Sequence, residues 1–197
     1  MSKRGSITTS DYLSFEEYQR LVNNLAAEEE YLWCTYCILS FCTGLRSSDV
    51  RKLKWNQVLN VRGLTVTEKK TQKTKRIPIG ENASEHLSTL YEKMGKPDPN
   101  SYIFVGKKSG TGKPITIQYV NRMLKLWKNR YNLEIENFST HTFRKTFGRY
   151  VYEKSGRQNS ALLYLNRIFR HHNLDTTMIY LGITDDEISG IFNSITI

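Results

Sequence analysis

The sequence predicts a mainly α-helical fold with a small antiparallel β-sheet, which places the chain in the α+β class. Three observations support this prediction. Apolar residues recur at helical spacing both before residue 55 and after residue 80. Between these regions, a short stretch alternates apolar and polar residues around a lysine-rich turn. No Pro- or Gly-rich linker divides the 197 residues, so we expect a single domain.

The first third of the chain predicts three helices. In "LSFEEYQRLVNNL", Ser14 precedes Glu17 by three positions, a capping-box pattern, and apolar residues at helical spacing follow. The more apolar segment "YLWCTYCILSFCTG" predicts a second helix that ends at Gly44. In "LRSSDVRKLKW", Ser47 or Ser48 is expected to cap a short third helix.

The stretch "GLTVTEKKTQKTKRIPIG" predicts a two- or three-stranded antiparallel sheet. Its apolar residues alternate with polar ones on each side of the basic turn, at Leu64, Val66, Ile77 and Ile79. A helix is expected again at "ENASEHLSTLYEKMG".

The segment "TIQYVNRMLKLWKNRYN" predicts an amphipathic helix with a basic outer side. Its apolar face would consist of Ile117, Val120, Leu124 and Trp127. On or beside the opposite face lie three cations, Arg122, Lys125 and Lys128.

The last third predicts helices at "THTFRKTFGRYVYEKSG" and "SALLYLNRIFRHH", followed by a short helical piece that ends near Tyr180. The final segment "DDEISGIFNSI" has apolar residues at i, i+3, i+4 and i+7, namely Ile188, Ile191, Phe192 and Ile195.

The charge balance indicates a polyanionic partner. There are 29 Lys and Arg against 19 Asp and Glu, a formal charge of +10, which favours nucleic acid or an anionic membrane. No window is long and apolar enough for a membrane span, and the N-terminus lacks a signal-peptide core. We therefore expect a cytoplasmic protein without a membrane segment. Its three cysteines, Cys34, Cys37 and Cys42, are expected to be buried, reduced thiols.

No familiar metal, phosphate-loop or serine-hydrolase motif is present in the sequence. The chain has only six Asp and no D-x-D, H-E-x-x-H, P-loop or G-x-S-x-G pattern, so we expect no metal and no cofactor. A reaction on phosphate would then depend on cations and a side-chain nucleophile. Candidate cations are Arg46 at a corner between two helices, and His141 with Arg144 spaced i, i+3 on a probable helix. Taken singly, Arg46 could equally be a surface arginine, and an H-x-x-R pair is more often a capping or core histidine beside a surface arginine.

The order of four motifs resembles the catalytic domain of the tyrosine recombinases, the site-specific integrases of phages and mobile elements. The motifs are "TGLRSSDVRKLKW", "KTQKTKRIPIG", "HTFRKTF" and "RHHNLDTTMIYLG". The resemblance implies that fold over residues 13–197, with residues 1–12 as an N-terminal extension or linker. It also implies that the intact protein carries an N-terminal DNA-binding domain that this chain lacks.

The resemblance implies six catalytic residues: Arg46, Lys70, His141, Arg144, His171 and the nucleophile Tyr180. Lys70 lies eight residues before the proline of "IPI", and Lys73 is the alternative in a crowded hairpin. The family usually has Leu-Gly-His where this chain has Phe169-Arg170-His171-His172, so His172 is an alternative to His171. Asp49 would orient an arginine or serve as a plain helix N-terminal charge. Further DNA contacts are expected from Lys69, Lys73, Lys75, Arg76, Arg122, Lys125 and Lys128.

The implied activity is cleavage and rejoining of double-stranded DNA through a 3′-phosphotyrosine, without metal or ATP. The implied assembly is a homotetramer on bacterial DNA in the cytoplasm, joined through the C-terminal segment 185–197. That segment could instead fold back on its own domain. Three other functions remain open: relaxation of DNA by a type IB topoisomerase reaction, a non-catalytic DNA-binding regulator derived from a recombinase, and an RNA-binding module, which the aromatic pattern disfavours.

Overall fold

The computed structural model describes residues 10–67, 74–106 and 112–183. These ranges form α-helices, one 3₁₀ turn and a two-stranded sheet, so the predicted mainly α fold with a small antiparallel sheet is confirmed. In chain order the elements are α1 (Phe15–Ala27), α2 (Tyr31–Thr43), α3 (Ser47–Val50), the 3₁₀ turn (Trp55–Gln57), β1 (Gly63–Thr67), β2 (Thr74–Pro78), α4 (Glu81–Lys93), α5 (Ile117–Arg130), α6 (Thr142–Lys154), α7 (Asn159–Phe169) and α8 (Leu174–Leu181).

The described residues group into two compact units. The larger unit is Ser10–Phe147, and the smaller unit is 148–183. The predicted boundary between an extension and a domain at residue 13 stays a prediction. In the described ranges, no helix is long and apolar enough to cross a membrane.

Helices α1 and α2 begin and end largely where the sequence predicts. The Ser14 hydroxyl accepts a hydrogen bond from the Glu17 backbone N–H at 3.1 Å, which satisfies one of the unpaired donors at the start of α1. The Glu17 carboxylate binds Arg20 and the Glu134 backbone N–H. Helix α2 ends at Gly44 in the left-handed conformation, with φ 56°, as expected of a glycine C-cap.

The predicted serine cap of α3 is wrong. Helix α3 begins at Ser47, and Arg46 occupies the N-cap position with no side-chain capping bond. The Ser47 hydroxyl instead accepts a 2.9 Å hydrogen bond from the buried Tyr36 hydroxyl. Burial raises the pKa of Tyr36 to about 12, which keeps this donor protonated. Both predicted caps, Ser47 and Ser48, therefore lie inside the helix, and the Ser47 hydroxyl binds Tyr36 instead of the α3 backbone.

The sheet in the described residues has two antiparallel strands, where the sequence predicted two or three. The pairing of these strands places Lys75 and Arg76 on opposite faces of the sheet. Leu64 lies opposite Ile77, and Val66 lies opposite Lys75. Because opposed residues share a face, Lys75 lies on the side of the buried Leu64 and Val66. Arg76 faces the other side, where it is exposed and packs across Gly63. The turn lysines Lys69, Lys70 and Lys73 lie outside the described residues.

Helix α5 has the predicted amphipathic face except at its first residue. Val120, Leu124 and Trp127 are buried, as predicted. Ile117 was predicted to join them, but it is 37% exposed. Ile117 is the first residue of α5, directly after the Thr116 cap, so no helical turn lies before it to extend the buried apolar face.

Helices α6, α7 and α8 form in the predicted order, with one difference at the start of α6. This helix begins at Thr142, so His141 lies just before it rather than on one helical face with Arg144. His141 is exposed, whereas Arg144 is buried within the first turn. The predicted last helix, including Ile188, Ile191, Phe192 and Ile195, lies outside the described residues.

Candidate active site

Arg144 is a buried cation anchored to the end of another helix. Its side chain is only 3% exposed, and Nη1 donates a hydrogen bond to the Gly44 carbonyl. Gly44 leaves no room for a side chain, since an added Cβ would lie 2.9 Å from the Phe147 ring. The left-handed glycine that ends α2 thus supplies the carbonyl acceptor for Arg144. This bond brings together two motifs that are 100 residues apart.

Arg46 lies two residues beyond that carbonyl, in the same unit. Its backbone is extended (φ −70°, ψ 146°), and its side chain is half-buried. Asp49 is buried three residues later, in α3. The turn after α2 thus places one predicted catalytic arginine, Arg46, near the carbonyl that holds the second, Arg144.

The first turn of α6 is held by the segment Ser10–Leu13. The hydroxyls of Ser10 and Thr142 are 3.1 Å apart, and the Leu13 backbone N–H donates to the Thr146 hydroxyl at 3.0 Å. Lys145 is buried between these two threonines along the helix. Burial lowers its pKa, and the charge of Asp11 raises it. These contacts surround Arg144 on the helix, so they stabilise the turn that carries it.

The smaller unit places Tyr180 against a histidine and a phenylalanine. Tyr180 contacts His171 edge-on, with ring centroids 5.1 Å apart, and Phe169 at 5.4 Å. His171 also contacts Phe169 at 5.3 Å. Phe169 is fully buried, so it forms a fixed base on which the two other rings pack. The Tyr180 residue as a whole is partly exposed, but its hydroxyl oxygen is shielded from solvent.

A hydrogen-bond chain orients His171. The Asn166 side-chain amide donates to the Thr177 hydroxyl at 3.1 Å, and that hydroxyl lies 3.0 Å from His171 Nδ1. Since the Thr177 oxygen already accepts from Asn166, its own proton can go to Nδ1. With this direction of the hydrogen bond, a neutral ring carries its proton on Nε2, which is then a donor. Thr177 is fully buried, which keeps this geometry free of water.

The two histidines of "RHH" have different environments. His171 is half-buried and packs on Tyr180, whereas His172 is exposed. Arg170, at the position where the resembled family has glycine, ends α7 in the left-handed conformation with φ 53° and ψ 48°. The backbone therefore adopts the glycine-like turn despite the missing glycine, and this turn leads directly into His171.

The predicted DNA contacts on α5 differ in their availability. Arg122 and Lys125 are exposed, and the Arg122 guanidinium stacks over the Tyr119 ring at 5.0 Å. Lys128 is half-buried and donates to the Glu136 carbonyl at 2.9 Å, so it also tethers the segment that follows α5.

Two further residues that matter here were not anticipated from the sequence: Thr177 and Gly148. An added Cβ at Gly148 would lie 2.4 Å from Leu181 Cδ2 and 3.0 Å from the Phe169 ring. Only glycine at this position allows such close packing on Leu181 and on Phe169, the residue on which the Tyr180 and His171 rings pack. The sequence does contain a signal for Gly148, because glycine in the middle of a predicted helix lowers its stability. Such a glycine usually marks a place where a neighbouring segment packs closely against the helix.

The three cysteines are protonated thiols. Burial raises the pKa of Cys34 and of Cys42 to about 11, and it also raises the pKa of the buried Cys37. Among the described residues, no cluster of three or more His, Cys, Asp or Glu side chains is placed to hold a metal ion.

Comparison with known proteins identifies the family. The family model described as "Phage integrase family" matches residues 11–187. The probable integrase/recombinase YoeC of Bacillus subtilis is 33% identical over 149 residues, which cover 76% of each chain. The tyrosine recombinase XerD of Staphylococcus saprophyticus is 24% identical and aligns with 93% of this chain but only 61% of its own length.

Solved structures support the same assignment of the fold. The XerH site-specific recombinase, solved as a post-cleavage complex with a palindromic difH substrate, superimposes with a TM-score of 0.71 at 17% identity. The match covers 98% of this chain and 55% of XerH. This chain therefore has the fold of a tyrosine recombinase catalytic domain and belongs to the phage integrase family, the integrases and site-specific DNA recombinases.

Proposed function

We propose that this chain is the catalytic part of a site-specific DNA recombinase that cleaves and rejoins double-stranded DNA through Tyr180. The contact between His171 and Tyr180 carries the proposal. It places a phenol beside an imidazole whose Nδ1 is already engaged by Thr177. In such a pair the phenol can act as the nucleophile, and the imidazole can donate a hydrogen bond to the phosphate that it attacks.

The arginines have the role of binding the attacked phosphate. Negative charge builds on the non-bridging oxygens as the nucleophile approaches, and a guanidinium can answer it with two parallel hydrogen bonds. Arg144 is held by the Gly44 carbonyl through one nitrogen, which fixes its orientation. Arg46 supplies a second guanidinium, and His171 Nε2 a further donor.

The covalent step balances without an added reactant. The Tyr180 oxygen attacks phosphorus and loses its proton, for which His141 is the proposed acceptor. The bond from phosphorus to the 5′-oxygen breaks, and Lys70 is proposed to protonate that oxygen. The product is a 3′-phosphotyrosine and a free 5′-hydroxyl, and attack by a 5′-hydroxyl reverses the step. Because the Tyr180 oxygen is shielded from solvent, DNA binding must open access to it.

Binding to DNA is expected to rely on the basic surface. The net charge of +10 and the exposed cations Arg76, Arg122 and Lys125 favour contacts with the phosphate backbone. Lys69, Lys73, Lys75 and Lys128 are proposed as further contacts. XerH, a site-specific recombinase with the same fold, was solved bound to a palindromic difH substrate. The proposed site of action is bacterial DNA in the cytoplasm.

A nicked suicide substrate tests the reaction class. The duplex carries the attachment site of the element that encodes the chain, with a nick that lets the short product diffuse away. The wild-type protein should form an adduct that survives denaturing electrophoresis, and Tyr180→Phe should form none. Tyr164→Phe is the matched control, since Tyr164 is 66% exposed on α7. An adduct that persists in Tyr180→Phe would place the nucleophile elsewhere. DNA binding without any adduct, in the longer protein as well, would indicate a non-catalytic regulator.

We also propose that the protein acts as a tetramer on two DNA sites, with the segment 185–197 of one copy packing on a neighbouring copy. The segment is apolar at helical spacing in the sequence. Exposed apolar side chains on α7 and α8, namely Leu163 and Ile179, offer a surface for it. Light scattering on DNA-bound protein should show a tetramer for the intact chain and smaller species after truncation at residue 183. A truncated chain that still assembles would refute the role of this segment.

A further inference from the structure

We propose that Asn166 is a positioning residue that keeps the proton of the neutral His171 ring on Nε2, so that His171 can donate to the phosphate that Tyr180 attacks. This inference rests on the proposed function, because only the reaction at Tyr180 gives the donor a use. Asn166 has this role because it determines the direction of each hydrogen bond in the chain that ends at the imidazole.

Asn166 holds His171 at two points, through its backbone and through its side chain. The Asn166 backbone carbonyl accepts a hydrogen bond from the His171 backbone N–H at 3.2 Å, which closes the turn at the end of α7. The Asn166 side chain reaches the imidazole through the Thr177 hydroxyl, which lies 3.1 Å from the amide nitrogen and 3.0 Å from His171 Nδ1. One residue thus holds both the backbone of the histidine and the partner of its ring.

The backbone carbonyl of Asn173 determines which way the Asn166 amide faces. This carbonyl belongs to the N-cap residue of α8, and its oxygen lies 2.6 Å from the amide nitrogen. A carbonyl can only accept a hydrogen bond, so the NH₂ group of Asn166, and not its amide oxygen, must face Asn173. The same NH₂ group also contacts the Thr177 oxygen, to which it can only donate.

The burial of Thr177 then determines where its own proton goes. Its oxygen accepts from Asn166, and the residue is fully buried. Among the described residues, the remaining hydrogen-bond partner of this hydroxyl is His171 Nδ1. If the imidazole donated from Nδ1 instead, the buried hydroxyl proton would lack an acceptor, which is unfavourable. The hydroxyl therefore donates to Nδ1, and the neutral ring carries its proton on Nε2.

The bond to Thr177 distinguishes this role from simple packing of α7 on α8. Packing would be served by the bond from Asn166 to the Asn173 carbonyl alone. The second bond leads to the imidazole that packs on the Tyr180 ring, with centroids 5.1 Å apart. A neutral ring protonated on Nε2 can donate to a phosphate oxygen, whereas one protonated on Nδ1 offers only a lone pair at Nε2. Asn166 therefore favours the tautomer that the proposed reaction requires.

The decisive variant is Asn166→Asp, because it keeps the shape of the side chain and reverses its hydrogen bonding. An ionised carboxylate can only accept, so the Thr177 hydroxyl should donate to it and should accept from His171 Nδ1–H. The neutral ring should then lack a proton on Nε2. Asn159→Asp is the matched control, since it introduces the same charge at the exposed first residue of the same helix.

The first measurement is the ¹⁵N NMR spectrum of the histidine rings in the full chain, which distinguishes a protonated ring nitrogen from an unprotonated one. It is recorded above the titration of each ring, at about pH 9, since the ordinary histidine pKa is about 6.5. The chain has four histidines, and His171→Gln identifies the signal of His171. The wild type and Asn159→Asp should carry the proton on Nε2, and Asn166→Asp on Nδ1. A wild-type ring protonated on Nδ1, or the same tautomer in the wild type and Asn166→Asp, would overturn the proposal.

The second measurement is the rate of adduct formation on the suicide substrate. Asn166→Asp should slow it by about 10²–10³-fold, because the donor to the phosphate is lost, and Asn159→Asp should remain within a few-fold of the wild type. If Asn166→Asp does not fold, Asn166→Ala replaces it. That variant removes both amide bonds, so the His171 ring should become a mixture of tautomers and the rate should fall by about tenfold. An Asn166→Ala ring that stays fully protonated on Nε2 would overturn the proposal.

The two measurements separate this inference from the proposed function. If the tautomer changes as expected but the wild type forms no adduct, control of the His171 tautomer by Asn166 stands and the reaction class fails. If the wild type forms an adduct and Asn166→Asp forms it equally fast, the role of Asn166 in the reaction fails and the reaction class stands.

Discussion

His171 meets Tyr180 edge-on, with ring centroids 5.1 Å apart, and the hydroxyl of Thr177, three residues before the tyrosine, lies 3.0 Å from Nδ1 of the same imidazole. One helix, α8, therefore carries both the proposed nucleophile and the residue that orients its neighbour. This geometry distinguishes His171 from the exposed His172.

His171→Gln should slow adduct formation by about 10²–10³-fold, because it removes a donor to the phosphate. His172→Gln is the matched control and should remain within a few-fold of the wild type. The rates are measured in single turnover on the suicide substrate. The opposite ranking of the two variants would move the proposed role to His172.

Thr177→Val should slow the reaction by about ten- to a hundredfold, since it keeps the shape of the side chain but releases His171 Nδ1. The dependence of the rate on pH should also change, because the proton preference of the imidazole changes with its partner. Thr176→Val is the control, as the Thr176 hydroxyl bonds to the Asn173 side chain instead. A Thr177→Val profile that overlies the wild type would exclude this positioning role.

Arg144→Lys should lower the cleavage rate by about 10²–10³-fold, because an ammonium cannot hold the Gly44 carbonyl and offer a paired fork to phosphate at once. Arg122→Lys, on the exposed side of α5, conserves charge in the same way and should have little effect on rate. Equal rates for the two variants would show that charge alone suffices at position 144.

Gly148→Ala should destabilise the protein by about 1–2 kcal/mol, because the added methyl group overlaps Leu181 and Phe169 while the better helix propensity of alanine offsets part of the cost. Denaturant unfolding measures the change. Leu181→Ala should offset it, so the double variant should be more stable than the sum of the two single changes predicts. Additive effects would contradict the close contact.

Stability should fall as the pH rises above about 9. The thiols of Cys34 and Cys42 keep their protons up to a pKa of about 11 in the folded chain, against 9.0 ordinarily. Between these values the unfolded chain binds fewer protons, so deprotonation favours unfolding, and the full stability is present only below this window. Urea unfolding at a series of pH values should show this fall. The Cys34→Ala, Cys42→Ala double variant should have a shallower slope, and an unchanged slope would argue against buried thiols.

Much of the fold follows from neighbouring residues. The Ser14 cap, the glycine stop at Gly44 and the buried face of α5 are local patterns, and the structure has each of them. The pattern failed where a distant partner intervened, as at Ser47, whose hydroxyl binds Tyr36 instead of capping α3. It also failed at Ile117, which is the first residue of α5 and remains exposed at the end of the apolar face.

The sequence by itself determined the family and the order of the motifs, and it is the source of the proposed set of catalytic residues. Only the tertiary structure decided which acceptor holds Arg144, why Gly148 must be glycine and how Arg170 adopts a turn that favours glycine. Helix caps and amphipathic faces depend on residues within one or two turns, so their signals are written consecutively. The Arg144–Gly44 bond and the contact of Gly148 with Leu181 join segments far apart in the chain, and those distances exist only after the helices have packed.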